Sequence, residues 1–158
     1  MGEWQALLAK AREKEYIVNQ VLTITYPLAR DAKLLLTAVE NIFLSMHYAL
    51  QAFLMHEYDH ARLRGIPDTY ESRVQKAKSL MPEHRDALQS MTELREIIMK
   101  HQQSPIEFNR QDRYVICSDK YQLTVITLDM IKKAHEKSKV FIHEVATILE
   151  KKPYLVVI

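Results

Sequence analysis

With 158 residues, 22 basic and 20 acidic side chains and a formal net charge of +2, the chain suits one hydrophobic core and lacks the strong cationic excess of a dedicated DNA-binding protein. Hydrophobic residues make up 47%, and two glycines and five prolines are few breakers, so long helices with few tight turns are expected. Cys117 is the single cysteine, which excludes an internal disulfide; no uncharged run reaches the roughly 18–20 residues of a membrane span, and the charged start MGEWQALLAKAREKE has no signal-peptide apolar region, so the expected location is cytoplasmic.

Trp4, Leu7, Leu8, Ala11, Ile17, Val18 and Val21 recur every three to four residues and predict a first helix over 3–25, ended by Pro27. Asp31 is placed to cap a second helix running to about Arg64, where Gly65 and Pro67 stop it. Along it, Leu35, Val39, Ile42, Met46, Ala49, Phe53, His56 and His60 alternate at spacings of four and three, and Leu36, Phe43, His47, Leu50 and Leu54 form a second stripe. A helix apolar over so wide an arc sits at the centre of a bundle. Glu40 is the only acidic or basic side chain between Lys33 and Glu57. Glu40 and His47 are therefore buried polar candidates, either paired with a Tyr, Lys or Arg of a neighbouring helix or perturbed for function.

A shorter helix is expected over about 70–80. Another over about 82–103 buries Leu88, Met91, Leu94, Ile97 and Ile98 and is closed by Pro105. Residues 106–126 then change character. RYVIC and YQLTVIT are β-branched and aromatic around SDK, which predicts a small hairpin at about 112–126, with an irregular covering loop as the alternative. Thr127 or Asp129 starts a last helix to about Lys151, with Leu128, Ile131, Ala134, Val140, Ile142 and Val145 at its apolar positions. The apolar tail PYLVVI docks on the bundle or meets a partner. The expected fold is all-α, a single-domain bundle of four long helices and one short helix with a small β excursion.

His56-Glu57-Tyr58-Asp59-His60 reads H-E-x-x-H. On a helix the two imidazoles stand one turn apart and can reach one ion, with Glu57 as the base acting on bound water. These five residues resemble the zincin metallopeptidases, which implies a zinc-dependent hydrolase. Glu83, His84 and His101 are the candidates for a third ligand. The competing reading is structural: the two histidines form the polar end of a buried helix, their nitrogens bonded to carboxylates or backbone.

LAKAREKEYIVNQV followed by DAKLLLTAVENIFLSMHYALQAFLMHE resembles the opening of HEPN-superfamily proteins, small and commonly dimeric helical bundles. The resemblance spans about residues 5–150. It implies RNA or nucleotide binding, ribonuclease activity or a toxin–antitoxin or defence role, and as partners a homodimer mate and an antitoxin or nucleotidyltransferase. Ribonuclease members of that family carry Arg, four to six residues, then His, and Arg95-Glu-Ile-Ile-Met-Lys-His101 fits with five between. The resemblance implies that Arg95 grips a phosphate and that His101 acts as acid or base on a ribose hydroxyl across a dimer interface. The residue types suit that chemistry. Glu96 departs from the Asn, Asp or His that family members tend to carry after the Arg. Phe108, Arg110 and Arg113 follow closely and offer stacking and charge for a nucleotide. The rival class is a non-catalytic interaction or dimerisation module. Neither a membrane partner nor a cofactor other than zinc is expected.

Overall fold

The apolar stripes close into a helical bundle in the computed structural model, which describes residues 2–151. Helix α1 spans Glu3–Gln20, and a π-helical turn over Val21–Thr25 leads it into the single-turn helix α2, Tyr26–Ala29. Pro27 therefore does not end the first helix. It sits in the first turn of α2, where a missing N–H costs little, and the preceding π turn absorbs the clash of its ring. The helix stops at Arg30, which is left-handed with φ 53°.

Helix α3, Lys33–Asp59, is an unbroken rod of 27 residues. Leu35, Val39, Ile42, Met46, Ala49, Leu50 and Leu54 are fully buried along it. It packs against α1 and against three later helices, which is why its apolar arc is so wide. The rod ends five residues before the expected Arg64. Ala61 turns left-handed at φ 60°, and the amides of Ala61 and Arg62 bond back to Tyr58 O at 3.0 Å and Glu57 O at 2.8 Å. This is a Schellman termination built on alanine rather than glycine, so the sequence carried no glycine to mark it.

Helix α4 spans Tyr70–Leu80 and opens on a capping box: Thr69 Oγ1 accepts from Ser72 N at 3.1 Å, and Ser72 Oγ accepts from Thr69 N at 3.2 Å. A 3-10 turn, Pro82–His84, precedes helix α5, Arg85–Gln103. Three antiparallel strands follow, β1 Ile106–Arg110, β2 Arg113–Cys117 and β3 Leu123–Thr127, in the order β1-β2-β3. The expected hairpin at 112–126 is β2–β3. Strand β1 was not foreseen, because IEFNR is short and mostly exposed, and its alternation rests on Ile106 and Phe108 alone. Helix α6, Leu128–Glu150, leaves β3 directly, with Thr127 Oγ1 accepting from Met130 N at 3.3 Å. On α6, Val140 is 59% exposed and Phe141 takes the core position instead.

The all-α expectation thus holds coarsely: a mostly helical chain with a small antiparallel sheet. It differs in detail through the added α2 and the third strand. The PYLVVI tail lies outside the described residues. No helix among the described residues is long and apolar enough to cross a membrane.

Candidate functional site

The last turn of α5 presents His101, and Ser104-Pro105 turns the chain back into β1 so that Glu107 lies against it. His101 Nδ1 is 2.7 Å from Glu107 Oε2. Tyr114 donates its hydroxyl to Glu107 Oε1 at 2.5 Å, and the Ser104 hydroxyl donates to Oε2. Burial pushes the Glu107 carboxyl up, but the hydrogen bonds from Ser104, Tyr114 and His101 outweigh it and hold the group below the usual carboxylate range. The Tyr114 hydroxyl is pushed up to about 12, by burial first and then by Glu107. Glu107 is therefore ionised and Tyr114 neutral near pH 7, so the proton between the ring and the carboxylate belongs to His101 Nδ1. His101 Nε2 has no protein partner among the described residues. A carboxylate-oriented imidazole with its far nitrogen open is an acid–base arrangement. Ser104 also lines a cleft of about 520 Å³ together with Lys100, Gln103, Ser118, Gln122 and Thr124. Ile116, Asp119 and Leu123 complete the lining, so the cleft sets one cation beside one carboxylate, with hydroxyls and amides that bind sugar and phosphate oxygens.

Arg95 does not join this network. Its guanidinium stacks 4.2 Å from the centroid of the Tyr70 ring and pairs with Glu71 at 3.2 Å. It lines a separate cleft of about 470 Å³ with Glu40, Phe43 and Met99. Six residues along a helix rotate a side chain by about 240°, so one helix does not aim Arg95 and His101 at one point. Glu40 shares the Arg95 cleft, is half-buried, and makes no ion pair among the described residues. His47 stacks on Phe43 at 5.6 Å and 14°, with Nδ1 buried and unpartnered. Burial first, then Arg73 and Arg95, lower its pKa. The two buried polar candidates are thus not bonded to each other or to a neighbouring helix.

Phe108, Arg110 and Arg113 are exposed, and the two arginines face each other at the closed end of the β1–β2 hairpin. The register puts Phe108 in one row with Val115 and Val125, on the outer face of the sheet. Glu107 and Tyr114 point to the inner face, so the three expected nucleotide-binding residues lie on the side away from His101.

His56 and Glu57 are 5% and 6% exposed, while His60, at the helix C-cap, is exposed. Their rings are adjacent, 4.0 Å apart at 31°. However, His56 Nδ1 is 3.3 Å from Glu57 Oε1, His60 Nδ1 bonds the His56 carbonyl at 2.8 Å, and Glu57 is held by Arg62 at 3.0 Å. A base neutralised by arginine is poorly placed to activate water. Trp4 lies edge-on to His56 at 5.1 Å and 89°. Burial lowers the His56 pKa against the opposing Glu57 hydrogen bond. Among the described residues no third ligating side chain converges on this pair: His101 is bound to Glu107, and Glu83 and His84 group with Glu144.

His135 went unnoticed in the sequence. It is 5% exposed in the α6 core seam, and neither ring nitrogen has a partner. Burial first, then Lys139, lower its pKa. Its position four residues after Ile131 and six before Phe141 was the available signal.

No family model matches the chain, and no curated protein or solved structure matches it significantly.

Proposed function

We propose that the protein binds RNA or a nucleotide in the cleft beside Ser104, with His101 as the proton-transfer group. The observation that carries this reading is the ionised Glu107 gripping His101 Nδ1 at 2.7 Å while Nε2 stays open. In an RNA-cleaving reaction Nε2 takes the proton of a ribose 2′-hydroxyl, and the imidazolium is stabilised by Glu107. Lys100 supplies positive charge for the phosphate at the cleft wall. Arg95 belongs to this chemistry only when a second copy presents it. This reading keeps the RNA chemistry implied by the HEPN resemblance, and with it a homodimer and an antitoxin or nucleotidyltransferase partner, as parts of the proposal. The test is incubation of mixed RNA with wild type, His101→Ala and Glu107→Gln, followed by separation of the products. Cleavage lost in His101→Ala and weakened in Glu107→Gln supports it; identical traces for all three refute it.

One observation favours a second reading, a self-associating interaction module. Ile106, Phe108, Leu123 and Val125 expose 54%, 40%, 57% and 38% of their surface on one sheet face. Light scattering on Phe108→Ser plus Leu123→Ser decides it: a wild-type dimer turned into a monomer supports self-association through this face.

A further inference from the structure

Glu83 and His84 lie in the 3-10 turn that opens α5, and Glu144 is on α6. The two helices run in opposite senses here, since Lys137 reaches Asp86 at 3.1 Å while Glu144 reaches the Glu83–His84 turn. The ligating atoms of Glu83, His84 and Glu144 all lie within 4.8 Å of one another. None of the three side chains makes a hydrogen bond or ion pair with another described residue. His84 is braced instead by its edge-on contact with the fully buried Phe141, at 6.1 Å and 74°. The nearby Lys137 is committed to Asp86.

An imidazole between two carboxylates, with no hydrogen bond to either, differs from a solvated acidic patch. Two carboxylates brought this close without a cation repel. We infer that Glu83, His84 and Glu144 form a site for a divalent first-row transition-metal ion. One nitrogen and two carboxylate oxygens suit zinc, manganese or iron(II), whereas calcium takes six to eight oxygens. Bonds of about 2.0–2.2 Å need ligand atoms about 3.4 Å apart, which small side-chain rotations achieve from the present spacing. Three protein ligands leave a position for water, the arrangement of a reactive rather than a sealed site. The inference is independent of the His101 reading.

The test is isothermal titration of chelator-stripped protein with zinc chloride, and cobalt(II) absorption as a geometric probe, on wild type, His84→Ala, Glu144→Gln and His56→Ala. The expected result is one zinc per chain, affinity at least ten-fold weaker in His84→Ala and in Glu144→Gln, and unchanged in His56→Ala. Glu83 is exposed, so Glu83→Gln carries the same expectation should another variant fail to fold. Absence of saturable binding in wild type, binding undiminished in the three ligand variants, or loss only in His56→Ala would each overturn the assignment.

Discussion

His135 makes the sharpest test of the packing. Both its nitrogens are buried without partners, in a seam otherwise built from Ile131, Ala134, Phe141 and Ile142. A buried polar atom left unsatisfied costs about 1–3 kcal/mol, and a shape-compatible apolar replacement removes that cost. His135→Leu, with His135→Met as a second variant of similar volume, should therefore stabilise the fold by about 2 kcal/mol at pH 7. That corresponds to a rise in Tm of about 4–8 °C for a chain of this size. The gain should grow on acidification. The folded-state pKa of His135 lies below its ordinary 6.5, so the unfolded chain takes up the proton first as pH falls. Wild-type stability is then complete above about pH 6.5 and declines below it, by at most about 1.4 kcal/mol per pH unit for this group. The leucine variant lacks that loss. Urea unfolding followed by circular dichroism at pH 7 and pH 5.5 measures both effects. A variant less stable than wild type at both pH values, or one whose advantage shrinks at pH 5.5, refutes the reasoning, because the nitrogens would then have to be satisfied.

His47 and His56 are shifted in the same direction, so the wild-type stability curve should fall between pH 6.5 and 5 more steeply than His135 alone allows; a flat curve in that window contradicts the burial of all three. The lowered Glu107 adds its own loss only below about pH 4.5. Ala61→Gly should stabilise by about 1 kcal/mol in urea titrations, because the left-handed C′ position strains any side chain but glycine's hydrogen. Arg62→Ala should destabilise by about 1–2 kcal/mol, since it leaves the buried Glu57 carboxylate with His56 as its one side-chain partner; an unchanged urea midpoint would show that water already neutralises Glu57.

The central rod was legible because 27 residues repeat one apolar spacing, long enough for periodicity to outweigh local noise. Its end was not, because Ala61 adopts a conformation that composition does not advertise, and the Gly65 that drew attention lies beyond it. The α6 core was legible except where neighbours compete: Val140 and Phe141 are adjacent apolar residues, and only packing chooses between them. His101 was singled out by its motif, but the side chain that meets it within one chain is Glu107. The expected Arg95 is turned away on the same helix, whereas Glu107 arrives through the Ser104-Pro105 turn and the pairing of β1 with β2. Likewise Glu83, His84 and Glu144 meet only because α5 and α6 lie antiparallel, a long-range fact that no local spacing encodes.

The most direct measurement of the His101 account is the nitrogen-15 spectrum of its imidazole near pH 7, with and without a mononucleotide. The account predicts a proton on Nδ1, held by Glu107, and a change at Nε2 when the nucleotide is added. A proton residing on Nε2 in the free protein, or an Nε2 resonance indifferent to saturating nucleotide, would contradict it.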